Sequence, residues 1–208
     1  MSKRPAGWPH DAILKGLRTT AQVHQELAGS EAHQQLIAKA AEVMTAAMEA
    51  GRKILWCGNG GSATQSQHMA AEFVGRFSRE RRSLPSISLT ENMGSITAIA
   101  NDYSYDVVFA RQLEGLAQPG DVLIGLSTSG NSRNVLAALQ KAKVLKLPTI
   151  GFTGGSGGKM RELCDICIIV PTSETARIQE AHLTIGHLLC GLVEEALFAP
   201  SSTTGCAS

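Results

Sequence analysis

The feature that most constrains the fold is a series of five short apolar runs, each separated from the next by a segment long enough for a helix. The runs cover residues 54–57, 86–89, 122–126, 149–152 and 166–170. Short apolar runs bounded by glycine or proline are typical of strands buried on both faces, and their alternation with helices favours parallel pairing. Pro85 and Pro148 stand at strand starts, where a missing N–H is tolerated. We therefore predict an α/β fold with a five-stranded parallel sheet flanked by helices.

Helical segments are predicted at both ends of the chain. Residues from about 11 to 50 carry helical apolar spacing in two stretches, broken near residues 28–31, where Ser30 can cap the second stretch. This pattern predicts an N-terminal helical hairpin, and a last helix is expected from about 175 to 198. Residues 199–208 are small and polar, which predicts a disordered tail. We expect residues 1–198 to form a single domain.

Charge and hydropathy exclude several classes of partner. Nineteen Lys and Arg residues balance eighteen Asp and Glu residues, so the net charge is +1. The local basic group Arg79, Arg81 and Arg82 is interpreted as a solvated helix end. No signal-peptide pattern opens the chain, and no segment reaches the roughly 18 continuous apolar residues of a membrane span. We expect a cytoplasmic protein that binds neither nucleic acid nor membrane.

The cysteines do not predict a disulfide framework. The chain has five, and the Cys164-x-x-Cys167 spacing matches redox and zinc motifs. This pair opens a predicted strand and has no second pair as a partner, so we interpret it as a packing feature.

Two glycine- and serine-rich segments follow predicted strands and precede helical patterns. They are Gly-Asn-Gly-Gly-Ser at 58–62 and Ser-Thr-Ser-Gly-Asn-Ser at 127–132. Glycine permits positive φ and close approach of backbone N–H groups to an anion, and a helix N-terminus carries roughly half a positive charge. Neither segment fits a Walker loop or a dinucleotide fingerprint. Ordinary helix capping is the alternative, but the pairing favours two phosphate-binding loops and a sugar phosphate ligand. The candidate residues are Asn59, Gly60, Gly61, Ser62, Ser127, Thr128, Ser129 and Ser132.

Ionisable residues in two predicted helices are candidates for the chemistry. His68 and Glu72 are four residues apart and share a helix face among apolar neighbours, so we expect them to be largely buried. A solvent-facing ion pair is the alternative. Gln179 and His187 in the last helix are separated by roughly 12 Å of rise, so they share one small ligand only by leaning together. Contribution from different subunits is the other arrangement, and the sequence does not choose between them.

These segments together resemble the phosphoheptose isomerase family of the SIS (sugar isomerase) domain superfamily, along the chain up to about residue 198. The matching segments are residues 58–62, 68–72, 75–76, 100–102, 127–132, 157–160 and 177–180, with His187. The resemblance implies a flavodoxin-like sheet. It also implies isomerisation of sedoheptulose 7-phosphate to D-glycero-D-manno-heptose 7-phosphate, the entry to the heptoses of bacterial lipopolysaccharide core, by a homotetramer with sites between subunits.

The resemblance also implies a role for each matched residue. Glu72 corresponds to the general base and His187 to the general acid of an enediol mechanism. In some members the residues matching His68, Glu72, Gln179 and His187 bind zinc. The serines and threonine of the two loops correspond to the phosphate-binding set, and Asn59, Arg76, Asn101, Asp102 and Gln179 correspond to residues facing the sugar.

Two departures from the family pattern affect substrate identity. Gln65 stands where members often carry an acid, and Ala176 stands where an Asp often precedes the Arg-Ile-Gln-Glu motif. Two non-catalytic alternatives remain open: a DiaA-like protein that binds the replication initiator, and a sugar-phosphate sensor. The initiator-binding group lacks the acid and the histidine that match Glu72 and His187.

Overall fold

The computed structural model describes residues 10–199 as eight α-helices and five strands. The helices are α1 (His10–Ala28), α2 (Glu31–Glu49), α3 (Gly61–Val74), α4 (Met93–Asp102), α5 (Val108–Leu116), α6 (Arg133–Val144), α7 (Met160–Leu163) and α8 (Thr175–Phe198). The strands are β1 (Ile54–Gly58), β2 (Ser86–Ser88), β3 (Val122–Leu126), β4 (Thr149–Gly154) and β5 (Ile166–Val170). A short 3₁₀ turn, Tyr105–Val107, separates α4 from α5. The tail predicted at 199–208 lies, apart from its first residue, outside the described part of the chain.

The five strands form one parallel sheet in the order β2-β1-β3-β4-β5, which confirms the predicted fold class. The chain adds β2 on one side of β1 and then crosses to β3 on the other side. Strand order therefore reverses between β1 and β3, and open α/β sheets bind ligands in the crevice at such a reversal. The loops that follow these two strands are the predicted phosphate-binding loops.

Helices cover both faces of the sheet, which explains why the strands are apolar throughout. Every residue of β1, β3 and β4 is buried, whereas burial alternates along the edge strand β5. One core cluster joins α1, α2, α3 and α8 to one face, and a second joins α5, α6 and α7 to the other. By length and composition α8 could cross a membrane, but its apolar residues Ile178, Ile185 and Leu189 pack into the first core cluster.

The N-terminal hairpin forms where it was predicted. The backbone N–H of His33 donates a bond of 3.4 Å to the hydroxyl of Ser30, the N-cap of α2. Exposed apolar side chains remain on α1, namely Ile13, Leu14 and Leu17. These side chains are therefore not covered by the sheet or by other described parts of the same chain.

The cysteines in the described residues are free thiols: Cys57, Cys164, Cys167 and Cys190. Cys164 packs over a glycine of β4, since a Cβ added at Gly151 would lie 2.5 Å from its Sγ. Cys167 is the strand neighbour of that glycine. The pair fills space above the sheet, as the sequence predicts.

Candidate functional site

The first predicted phosphate-binding loop begins α3 without a side-chain cap. Gly60 is the N-cap, with φ of +54°, and no side chain accepts a bond from the first turn. The loop also brings the helix against the strand, since a Cβ on Gly58 would lie 2.7 Å from the carbonyl oxygen of Ser62. The positive end of the α3 dipole thus opens toward the crevice, with the Ser62 side chain in its first turn.

The second loop makes a tighter turn before α6. Gly130 has φ of +65°, and a Cβ there would lie 2.0 Å from the carbonyl oxygen of Gly157. The hydroxyls of Ser127 and Ser132 are 2.8 Å apart, so Ser132, the N-cap of α6, bonds across the loop and caps no N–H. The exposed Ser129 and the half-buried Thr128 are the other hydroxyl residues of this loop.

These uncapped helices argue against ordinary capping. Ser30 and Asn92, the N-caps of α2 and α4, accept bonds from backbone N–H groups, as capping residues do. At α3 and α6 the N-cap residue accepts no such bond, although Ser62 and Ala63 donate to the carbonyls of Asn59 and Gly60, and Val135 donates to Oδ1 of Asn134. Among the described residues the N–H groups of Gly61, Arg133 and Asn134 have no acceptor, and an anion in the crevice would satisfy them.

An amide pair joins the two loops, and one of its members, Asn134, was not predicted from the sequence. The side chains of Asn59 and Asn134 exchange two hydrogen bonds of 2.8 Å, and Tyr105 donates its hydroxyl to Asn59 at 3.0 Å. Asn134 lies two residues past the hydroxyl-rich segment, in the first turn of α6, and this position was the available signal. Tyr105 carried no local signal, since its role depends on a contact 46 residues away.

The second constellation is a cluster of His68, Glu72 and His187 from one chain. Nε2 of His68 lies 3.0 Å from Nε2 of His187 and 3.3 Å from Oε1 of Glu72. One ligand atom from each residue lies within 4.8 Å of the other two. The ring of Phe77 stacks on that of His187, with centroids 5.5 Å apart. The chain thus brings together residues 119 positions apart.

The cluster is more exposed than predicted. The side chain of His68 is 47% exposed and that of Glu72 is 21% exposed. The expectation of near-complete burial was wrong for one chain, because apolar side chains beside the cluster are uncovered as well: Val74, Leu188 and Leu192 are 48%, 50% and 44% exposed. Leu188 and Leu192 line, with Phe77 and His187, a cavity of about 430 Å³.

The other predicted site residues lie apart from this cluster. Gln179 packs against the start of α3, since its amide nitrogen is 2.5 Å from the Cβ position of Gly61. Arg76 lies beyond the far end of α3, where its exposed side chain is 3.8 Å from Glu80. Asn101 and Asp102 are exposed at the end of α4 and bond to each other at 2.9 Å.

Gln65 ties α3 to α8. Its side-chain nitrogen donates to the backbone carbonyl of Gln179 at 2.6 Å, while its Oε1 is buried without a partner among the described residues. A carboxylate has no proton to donate at neutral pH, so an acid cannot make this bond. The glutamine at this position, which departs from the family pattern, therefore makes a structural contact that an acid would lose. Ala176 is exposed at the start of α8.

Two buried polar residues support the second loop from below. His182 Nε2 lies 3.1 Å from the carbonyl of Thr153, the residue whose hydroxyl approaches the Cβ position of Gly130. Burial lowers the pKa of His182 to about 4, so the ring is neutral and donates to that carbonyl. His182 is a core residue under the site.

The fold and the paired loops define a sugar-phosphate-binding domain. A model of the SIS domain matches residues 20–154, and the chain belongs to this family. It is 49% identical over 185 residues to the phosphoheptose isomerase of Aquifex aeolicus, covering 89% of this chain and 96% of that protein. It is 54% identical over 161 residues to that of Rhodospirillum rubrum, covering 77% and 86%. The structure of a phosphoheptose isomerase from Francisella tularensis is similar, with a TM-score of 0.85, 37% identity and coverage of 89% of this chain and 97% of that chain.

Proposed function

We propose that this chain is an aldose-ketose isomerase that converts sedoheptulose 7-phosphate to D-glycero-D-manno-heptose 7-phosphate for bacterial heptose biosynthesis. The observation that carries the proposal is the His68–Glu72–His187 cluster. Two of its residues lie on α3, the helix whose N-terminus follows the first predicted phosphate-binding loop, and the third lies on α8, which packs against α3. The curated relatives of R. rubrum and A. aeolicus are phosphoheptose isomerases, and this chain keeps the acid and the histidine that the initiator-binding alternative lacks.

The spacing of the two constellations along α3 suits a long sugar phosphate. Ser62 lies in the first turn, and His68 and Glu72 follow after about 9 and 15 Å of helix rise. A sugar whose phosphate sits at the helix start therefore needs an extended carbon chain to bring its carbonyl end toward these residues. Seven carbons provide that reach better than five.

The chain's own side chains supply the proton transfers. Glu72 takes a proton from C1 of the ketose while His187 gives a proton to the carbonyl oxygen at C2, which forms the enediol. Glu72 then returns its proton to C2, and loss of the O1 proton to His187 completes the aldose. Each such group contributes typically 10²- to 10⁴-fold to the rate. The loop hydroxyls and helix N-termini hold the phosphate and fix the sugar in register with the cluster.

The cluster also fits zinc. Its two imidazole nitrogens and one carboxylate oxygen lie within 4.8 Å of one another, and such a set leaves a position open as catalytic zinc sites require. A bound zinc ion would polarise the sugar carbonyl and stabilise negative charge on the oxygens. Nε2 of His187 cannot bind a metal and donate a proton at the same time. His187 would therefore be a ligand in the zinc-loaded protein and a general acid in the zinc-free protein. Gln179 of this chain packs against the start of α3, away from the cluster. If a glutamine is a zinc ligand, as predicted, the Gln179 of another copy would supply it.

We propose a homotetramer in which a second copy covers the exposed cluster. The uncovered apolar side chains of α8 beside His187 and those of α1 support this assembly, since large exposed apolar patches are typical of interfaces. Arg76, displaced from the loops of its own chain, is then free to face a neighbour's sugar. The free thiols of the described residues are consistent with a cytoplasmic location.

A substrate series tests the function. Sedoheptulose 7-phosphate, fructose 6-phosphate and ribulose 5-phosphate are each incubated with wild type, Glu72→Gln and the matched control Glu80→Gln, with and without zinc, and products are followed by NMR. We expect conversion of the heptulose by wild type and Glu80→Gln, and a loss of 10²- to 10⁴-fold for Glu72→Gln. Equal conversion by Glu72→Gln, or preference for the pentulose, would contradict the proposal.

Zinc binding is tested separately by calorimetry on chelator-treated protein. Wild type should bind zinc, and His68→Ala should bind it at least tenfold more weakly. Equal affinity of the two proteins would place the metal elsewhere.

A further inference from the structure

A buried ion pair lies directly behind the candidate catalytic cluster. Nε of Arg81 donates to Oε1 of Glu194 at 2.9 Å, and the two side chains are 0% and 1% exposed. The sequence prediction that Arg81 belongs to a solvated helix end was wrong, because its partner lies on α8, 113 residues away. Arg79 and Arg82, in contrast, remain at least partly exposed.

The arginine fastens the end of α3. Its terminal nitrogens donate to the backbone carbonyls of Glu72 and Phe73 at 2.8 Å each and to that of Gly75 at 3.0 Å. The last carbonyls of a helix have no partner within the helix, so these bonds satisfy them. One of the fastened residues is Glu72, the candidate general base.

The glutamate fastens the segment that supports His187. Its carboxylate accepts backbone N–H bonds from Phe77 and Ser78 at 2.9 Å and from Arg79 at 3.0 Å, together with the Ser78 hydroxyl. Burial would raise the pKa of Glu194, but these donors outweigh it and hold the pKa at about 2. Phe77, the first residue held, is the one whose ring stacks on His187.

We propose that Arg81 and Glu194 are positioning residues that hold the Glu72 carboxylate and the His187 imidazole at their working separation. This inference rests on the proposed isomerase function. Neither side chain reaches the substrate, because both are buried behind α3. Their bonds end on the residue that carries the base and on the residue that supports the acid. A general stabilising pair would not require this coincidence, since an apolar pair often stabilises as well as a buried ion pair.

A matched control lies at the amino ends of the strands, whereas the site lies at their carboxyl ends. Asp121 is fully buried, pairs with Lys53 Nζ at 2.6 Å and accepts backbone N–H bonds from Lys53 at 3.0 Å and Gln118 at 2.7 Å. It precedes β3, whereas the phosphate-binding loop follows β3. Asp121→Asn therefore removes a comparable buried carboxylate without touching the site.

The experiment compares Glu194→Gln with Asp121→Asn for Tm, kcat and KM on sedoheptulose 7-phosphate, well below either Tm. Both variants should have a lower Tm, but only Glu194→Gln should lose kcat, by roughly 10- to 100-fold, with KM changed less than threefold. An unchanged kcat in Glu194→Gln would overturn the proposal.

A second readout does not depend on turnover. Histidine-labelled protein is examined by NMR at one pH, and the ring resonances of His68 and His187 should shift in Glu194→Gln and remain unchanged in Asp121→Asn. If Glu194→Gln does not fold, Arg81→Lys replaces it, because lysine keeps the charge but cannot bond at once to Glu194 and to the carbonyls of Glu72 and Phe73. Unshifted His187 signals would refute the positioning role. Absence of wild-type turnover with shifted signals would instead refute the isomerase function.

Discussion

Replacement of Gly130 by alanine is the sharpest test of the second phosphate-binding loop. At its φ of +65° an added Cβ lies 2.0 Å from the carbonyl oxygen of Gly157 and 2.9 Å from the hydroxyl of Thr153. The left-handed conformation alone costs alanine about 1–2 kcal/mol. The contact with Gly157 requires the backbone to move, and overpacking of this kind costs about 1–3 kcal/mol more. We expect Gly130→Ala to lower the free energy of unfolding by about 2–5 kcal/mol.

Two other glycines separate these contributions. Gly60 has φ of +54° and ψ of −122°, a conformation outside the left-handed helical region, and no atom of the described residues lies near its Cβ position. Gly60→Ala should therefore cost only the conformational part, about 1–3 kcal/mol. Gly115 lies in α5 with the same free space and a negative φ, so Gly115→Ala should stabilise by about 0.5–1 kcal/mol.

Urea titration gives the three unfolding free energies, and competitive inhibition by inorganic phosphate reports the state of the loop. Gly130→Ala should bind phosphate at least tenfold more weakly, whereas Gly115→Ala should bind it as wild type does. If Gly130→Ala is as stable as Gly60→Ala and is inhibited normally by phosphate, the packing of Gly130 on Gly157 does not shape the site.

Two further predictions concern the supports of the site. Burial holds the pKa of folded His182 at about 4, below its unfolded value near 6.5, so only the unfolded state gains a proton between these values. Wild type should lose about 3 kcal/mol of stability relative to His182→Gln as pH falls from 6.5 to 4, measured by urea titration at each pH, and parallel curves would contradict this. Gln65→Glu removes the donor to the carbonyl of Gln179 and should lower the free energy of unfolding by about 1–3 kcal/mol, whereas an unchanged thermal melt would show that this bond is dispensable.

The sequence was sufficient to predict the sheet because each strand is marked locally. Apolar runs bounded by Gly or Pro placed all five strands within two residues of their observed ends, and Ser30 marked the break in the hairpin. The observed β2 is shorter at Ser88 and β4 extends to Gly154, where sheet pairing rather than residue type sets the end.

The positions of the two loops could also be predicted from the sequence, because glycines and hydroxyls at helix starts act through neighbouring residues. Side chains whose role depends on distant partners could not be predicted in this way. Arg81 was misinterpreted because Glu194 is 113 residues away, and Tyr105 was missed because its partner Asn59 lies 46 residues earlier. The relative positions of Glu72 and His187 also depend on the packing of α3 on α8, which the sequence alone does not predict.

In the proposed mechanism one chain supplies both Glu72 and His187 to each site, as their contacts with His68 indicate. Chains carrying Glu72→Gln and His187→Ala are co-expressed with different tags, and oligomers holding both tags are purified and assayed on sedoheptulose 7-phosphate beside wild type prepared in the same way. If one chain supplies both residues, the hybrids should show no activity above that of either variant alone, because every site in the hybrid lacks one of the two groups. Recovery of a substantial fraction of wild-type activity in such hybrids would show instead that the two residues meet across a subunit interface.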